Sequence, residues 1–257
     1  MPPSPTTQDN PGGPTPWPSR FTTTHWSVVL EAARPESPGG AEAFARLYRD
    51  YWQPLYAYVR RRGRGPHEAE DLTQDFFVAL LEKERLHGVE RGGGRFRSFL
   101  LKSLQNFLAN EWDRATARKR GGGGAFVPLD GLDSESRFLA DPSAGSPEAA
   151  FERSWALAVI GHALRSLEEE VRTAGRPELL THLRPHLLGD RGGRSYAELA
   201  AELGLSEGAV KVTVHRLRRR YGEFLRAEVV RTVGSEADVA DELRHLIRVV
   251  SAAAPEM

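Results

Sequence analysis

The chain of 257 residues contains no cysteine. That excludes a disulfide framework, a thiolate metal site and a cysteine nucleophile, and it suits a reducing cytoplasm. Long apolar runs are also missing, so no segment reaches membrane-spanning length and no membrane insertion is expected. The N-terminus, MPPSPTTQDNPGGPTPWPS, lacks the basic and apolar segments of a signal peptide. It carries seven of the 17 prolines, and residues 1–20 read as a disordered tail. Strand signals are nearly absent: β-branched residues do not alternate over any stretch, whereas a 3.6-residue period recurs. The expectation is a cytoplasmic, all-α protein.

Net charge is zero, but its distribution is uneven. Residues 66–90 carry a balance of −5, residues 91–120 one of +6, residues 130–152 again −5, and residues 205–226 +4. Two basic blocks set between acidic ones imply two phosphate-facing surfaces and separate surfaces for another partner.

The period predicts a first helical block with helices at Trp26–Ala33, Ala41–Arg62, Pro66–Glu84 and from Phe96 to about Lys119. Residues 121–146 are rich in Gly, Ser, Asp and Pro and read as a flexible linker. A second block runs from Pro147 to about Glu228. A tail helix, Ser235–Ala252, carries Val239, Leu243, Leu246, Ile247 and Val250 on one stripe. That stripe is too apolar to stay exposed and should pack on this chain or on a partner.

The sharpest local pattern is SYAELAAELGLSEGAVKVTVHRLRRRY, residues 195–221. Ser195 precedes Glu198 by the three residues of a capping box. Gly204 suits the left-handed residue that ends a helix, and Ser206 can cap the next one. In that second helix Val210, Val214, Leu217 and Tyr221 share a side. Gly208, Lys211, Val212, His215, Arg216 and Arg219 lie opposite, as a reader of the DNA major groove requires. Arg218 and Arg220 fall on the flanks, where phosphate contact is expected.

Two further helices carry chemistry. In EAEDLTQDFFVALLEKE, Ala69, Leu72, Phe76 and Leu80 face inward, while Asp71, Gln74, Asp75, Val78 and Glu82 form an outward, acidic stripe. Such a stripe complements a basic groove on a partner. In GRFRSFLLKSLQNFLANEWDRATARKR the apolar arc of Phe96, Leu100, Leu101, Leu104, Phe107 and Leu108 is wide enough for burial on more than one side. Its polar stripe holds Lys102, Asn106 and Asp113, flanked by Asn110, with Arg95 and Arg97 at the start and Arg114, Arg118, Lys119 and Arg120 at the end. Asn and Lys can hydrogen-bond base edges, Arg can pair with phosphate, and Trp112 could stack on a base or join the core.

The ordered combination of AEDLTQDFF, the aromatic and basic helix, a linker and the helix-turn-helix resembles a bacterial sigma factor of the sigma-70 family, extracytoplasmic-function group. The resemblance implies two small helical domains: 21–120 for core polymerase docking and the −10 element, and 147–230 for the −35 element. They are joined by the flexible linker 121–146 and followed by a helical extension at 231–257. It implies that Asp71, Gln74, Asp75 and Phe76 dock on the clamp helices of the largest subunit of RNA polymerase core. It assigns Arg95, Arg97, Lys102, Asn106, Asn110, Trp112, Arg114 and Arg118 to recognition and opening of the −10 element. Ser206, Lys211, Val212, His215, Arg216 and Arg219 fall to the −35 element. The family's partners are polymerase core and promoter DNA, and an anti-sigma protein in some members; no cofactor is implied.

Other classes fit less well. His182 and His186 have the spacing of helical metal ligands, but Pro185 stands between them and no carboxylate motif accompanies them. The runs RGGGRF and RGGGGAF lack the G-K-[ST] of a phosphate-cradling loop, so neither a metal site nor catalysis is expected. A helix-turn-helix regulator acting without polymerase would need a sensory domain, usually marked by alternating strands and helices, and that alternation is missing.

Overall fold

The computed structural model describes residues 39–81, 95–117, 134–139, 145–187 and 194–252. The helix expected at Trp26–Ala33, the Pro-rich tail and residues 121–133 of the expected linker lie outside them. Among the described residues the secondary structure is entirely helical: α1 Gly40–Arg61, α2 Pro66–Leu81, α3 Phe96–Ala117, α4 Ser134–Leu139, α5 Pro147–Thr173, α6 Pro177–Leu187, α7 Tyr196–Leu203, α8 Glu207–Thr232, a 3-10 turn at Glu236–Asp238 and α9 Val239–Ser251. No helix among these residues is long and apolar enough to cross a membrane.

Two hydrophobic cores organise these helices. The first is built around α1, which is buried on several sides through Tyr51, Trp52, Leu55, Tyr56, Tyr58 and Val59. Pro54 removes one backbone donor inside α1, yet the helix continues because packing surrounds that turn. Phe76 of α2 and Phe96, Leu100, Leu104 and Phe107 of α3 complete the expected part of this core, and Phe77 joins it. The second core joins Leu164, Leu167 and Val171 of α5 to Leu180, Leu183 and Leu187 of α6, Leu199 of α7 and Val210, Val214 and Leu217 of α8.

The division between the cores does not fall at residue 147. Phe151, Trp155, Ala156 and Val159 in the first half of α5 belong to the first core, as do Val229, Val233, Val239 and Leu246 near the C-terminus. Helices α5 and α8 therefore run through both cores, because each has one apolar stretch at either end of its length. The stretch 134–139, read as part of a loose linker, is instead the short helix α4 seated on α1. Trp52 Nε1 donates to Ser134 Oγ at 2.8 Å, and Arg60 forms a two-pronged pair with Glu135 at 2.7 and 2.8 Å. Tyr56 donates to the same carboxylate at 2.5 Å. Six residues suffice for this element because side chains of α1 hold it, which no local period reveals.

The tail helix packs on this chain, against α5 and α8. Val239 and Leu246 are buried and Leu243 and Val250 half-buried, while Ile247 remains exposed. Its anchor is ionic. Arg97, only 3% exposed at the start of α3, donates through Nε and Nη2 to the two oxygens of Glu242, at 2.7 and 3.1 Å. Its remaining nitrogen, Nη1, pairs with Glu152 of α5, and its guanidinium lies 4.8 Å from the ring centre of Trp155. Glu242 is completely buried and takes a second pairing from Arg95 Nε at 2.9 Å.

Removing one member of such a buried pair leaves the other charge uncompensated. Glu242→Ala is expected to cost about 3–5 kcal/mol in chemical denaturation. Arg97→Met combined with Glu242→Leu should recover much of that loss. Truncation after Thr232 removes Val233, Val239, Glu242 and Leu246 together and should lower the melting temperature; an unchanged melting curve would show the anchor to be idle.

Candidate nucleic-acid interface

The turn between α7 and α8 is set by local hydrogen bonds. Ser195 Oγ accepts from the Glu198 amide at 3.2 Å, and the Ser195 amide donates to Glu198 Oε2 at 2.7 Å, which completes the capping box. That amide and the Ser195 hydroxyl hold the Glu198 carboxyl below the usual carboxylate range. Gly204 ends α7 at φ +64°, a conformation disfavoured for residues with a Cβ. Ser206 Oγ accepts from the Ala209 amide at 3.2 Å and caps α8, so its hydroxyl shapes the start of the recognition helix.

The face of α8 opposite the second core is open. Lys211, Val212, His215, Arg216 and Arg219 are all exposed, Val212 by 50%. Lys211 is steered by Glu207 at 2.7 Å and leans towards the ring of Tyr196. His215 and Arg216 make no hydrogen bond or ion pair among the described residues. Among the described residues Arg219 pairs with Glu223, at 3.3 Å, with most of its surface in solvent. These are the residues singled out from the sequence, and they share one face.

The flanking arginines differ from expectation. Arg220 is gripped by Glu170 of α5 at 2.5–2.9 Å and by Glu223 at 2.8 Å, and it lies over Phe224 at 4.3 Å. Those hydrogen bonds push its pKa up further. Arg218 donates to the carbonyl of His186 at 2.6 Å. Both tie the recognition helix to its supports: Arg220 is occupied by two carboxylates, whereas Arg218 engages one nitrogen and stays exposed. The reason is a tertiary pairing, Glu170 being 50 residues away.

A second surface lies on α2 and α3. Asp71 and Asp75 are exposed and Gln74 half-buried, and neither aspartate has a salt-bridge partner among the described residues. Partial burial, then the neighbouring charges of Asp71 and Glu111, raise the Asp75 pKa. Phe76 is not part of this face: at 2% exposure it packs edge-on against Phe107, with ring centres 5.8 Å apart. Along α3, Lys102, Asn106 and Asn110 repeat every fourth residue and are exposed. Asn106 and Asn110, with Ser103, border a cleft of about 260 Å³ whose apolar wall is Phe76 and Leu80. Trp112 stands out at 59% exposure, with the Arg64 guanidinium 5.2 Å from its ring centre.

Arg97 was expected at this face and is instead enclosed by Glu242, Glu152 and Trp155. Arg95 is also drawn towards Glu242. The cause is α9, which brings an acidic residue from 145 positions away. Arg118 and the side chain of Arg114 lie outside the described residues. His182 faces Glu202 at 3.4 Å, and His186 stacks on Tyr196 with ring centres 5.0 Å apart. Pro185 is accommodated in the last turn of α6. No group of three or more metal-ligating side chains occurs among the described residues.

The family model described as Sigma-70 region 2 matches residues 47–118, and that described as Sigma-70, region 4 matches residues 187–220. The chain is 27% identical over 197 residues to the ECF RNA polymerase sigma factor BldN of Streptomyces coelicolor, covering 77% of this chain and 66% of that protein. It is 27% identical over 181 residues to the ECF RNA polymerase sigma factor SigE of Mycolicibacterium smegmatis, covering 70% of this chain and 60% of that one. The chain thus spans less than two thirds of either relative. To the ECF RNA polymerase sigma factor SigF of Caulobacter vibrioides it is 30% identical over 174 residues, 67% of this chain and 79% of the relative. No solved structure matches. With both regions matched in order and a relative matched over most of its length, this chain belongs to the extracytoplasmic-function group of the sigma-70 family.

Proposed function

We propose that the protein directs RNA polymerase core to specific promoters and helps to open the DNA there, as a sigma subunit working in the cytoplasm and without catalysis of its own. The observation that carries this reading is the surface shared by α2 and α3. Two aspartates with no cationic partner among the described residues, Asp71 and Asp75, stand on the helix packed beside the Asn106 and Asn110 cleft and the exposed Trp112. A regulator that only reads duplex DNA would need α8 and no such surface.

The roles follow from the chemistry of each group. Asp75 is repelled by Asp71 and by the nearby Glu111, so a basic groove on the polymerase, the clamp helices of its largest subunit, would relieve that repulsion. Gln74 adds a neutral hydrogen-bonding group between them. On α3, the Asn106 and Asn110 amides and Lys102 offer donors and acceptors to an unstacked base, while Trp112 offers a ring for stacking. Capturing a base there offsets an unstacking cost of a few kcal/mol. On α8, Lys211, His215 and Arg216 reach towards base edges of the −35 element, Val212 suits a thymine methyl, and Arg219 sits where phosphate lies.

Asp71→Arg combined with Asp75→Arg should abolish binding to core polymerase in a pull-down and run-off transcription with it, while circular dichroism stays normal. Full retention of core binding would sink the docking assignment. In holoenzyme, Arg216→Ala should cost about 1–3 kcal/mol on the cognate −35 element and relax discrimination at one base pair. Arg219→Ala should weaken binding to all sequences alike and reduce the salt slope by about one unit. Arg220→Ala should leave that slope unchanged and lower the melting temperature instead, because its partner is Glu170.

A further inference from the structure

Helices α1 and α5 are the most extensively packed pair in the molecule, yet they do not close over their whole length. Small residues, Ala57 on α1 and Ser154, Ala158 and Gly161 on α5, leave a cleft of about 640 Å³ between them, with α4 as a third wall. That volume lies in the range of small-molecule sites. The cleft is separate from the α2–α3 surface and from the open face of α8.

Its rim is cationic. Arg49 and Arg61 enter from α1, Arg153 and Arg165 from α5, and Arg137 from α4. Asp50 is the one acid lining it, and it is engaged by His162 Nε2 at 3.3 Å. Arg49, Arg137 and Arg165 form no salt bridge among the described residues. Arg165 lies back along α5 across Gly161, where an added Cβ would be 3.5 Å from the guanidinium. Arg49, Arg137 and Arg165, around a concave floor, focus positive potential into the cleft.

The interior has other chemistry to offer. Gln53 gives its amide nitrogen to the Ser134 carbonyl at 3.0 Å, while its Oε1 is buried with no hydrogen-bond donor among the described residues. A buried acceptor left in that state lacks a hydroxyl or N–H partner. Phe138 and Leu157 supply apolar surface, Leu157 being 43% exposed. The guanidinium carbons of Arg60 and Arg61 lie over the Phe138 ring, 4.8 and 4.9 Å from its centre.

We propose that this cleft binds a small phosphorylated ligand of the nucleotide class. The guanidinium forks take the phosphates, the apolar floor of Ala57, Leu157 and Ala158 takes the planar base, and Gln53 Oε1 accepts a hydrogen bond from an amino or hydroxyl group. Because the walls are α1, α4 and α5, an occupant fastens the short helix α4 and the first half of α5 to α1. The inference does not depend on the sigma-subunit reading, since it concerns the free chain.

The test is titration of metal-free ATP into the full-length protein at physiological ionic strength, by calorimetry and by thermal melting. Saturable one-to-one binding with a raised melting temperature is expected. Arg153→Gln with Arg165→Gln should weaken it by about tenfold or more. Ala158→Trp, which fills the floor and keeps every charge, should weaken it as well. Arg219→Ala, on the DNA-facing helix, should bind as the wild type does, and inorganic tripolyphosphate should bind more weakly than ATP. Absence of saturable binding by the folded wild type would overturn the proposal. So would unchanged affinity in the cleft variants, an equal loss in the Arg219 variant, or tripolyphosphate binding as tightly as ATP.

Discussion

The pairing of Arg97 with Glu242 joins parts of the chain that otherwise have little reason to meet. A guanidinium and a carboxylate without water each carry a desolvation cost of several kcal/mol, offset only when geometry is good and every remaining group is paired. Here the carboxylate takes two nitrogens of Arg97 and one of Arg95, and Glu152 and the face of Trp155 complete the surroundings of Arg97. Glu152 is itself held by His245 at 2.8 Å. One network thus connects α3, α5 and α9, and the apolar contacts of Val239 and Leu246 form around it.

Continuity of α5 and α8 through both cores follows the same logic. Each helix is long enough to contribute one apolar stretch to the first core and another to the second: Phe151–Val159 then Leu164–Val171 on α5, and Val210–Leu217 then Val229 on α8. Polar links reinforce the pair where they pass the first core. Asp50 of α1, His162 of α5 and Glu228 of α8 come within 3.3 and 3.8 Å through the two ring nitrogens of the histidine. Burial raises the Asp50 pKa, and the nearby His162 and Arg231 counter that rise. In this arrangement the relation between the cores rests on two helices.

The same context sorts the arginines. Those of α8 differ although they adjoin in sequence: Arg220 is bound to Glu170 of α5, whereas Arg216 and Arg219 face solvent and Arg218 does so with one nitrogen on a carbonyl of α6. A basic run therefore overstates the number of charges available to a nucleic acid. On α3 the sorting removes Arg97 altogether, while Lys102, Asn106, Asn110 and Trp112 are exposed among the described residues.

Wherever the determining interactions are local, the sequence by itself was sufficient. Helix starts at Pro66, Phe96 and Pro147, the Ser195–Glu198 capping box, the left-handed Gly204 and the stripe Val210, Val214, Leu217 all depend on neighbours within about two turns. For the same reason the outward faces of α2 and α8 were legible, since helical period alone separates Asp71 and Asp75 from Phe76, and Lys211 and Arg216 from Val214. Only the tertiary structure decided which outward charges remain available. Glu242 claims Arg97 across 145 residues, Glu170 claims Arg220 across 50, and Glu135 folds a supposed linker onto Arg60 across 75. A charge carries no period and no preferred sequence distance, so its partner is set by which helices the apolar cores bring together.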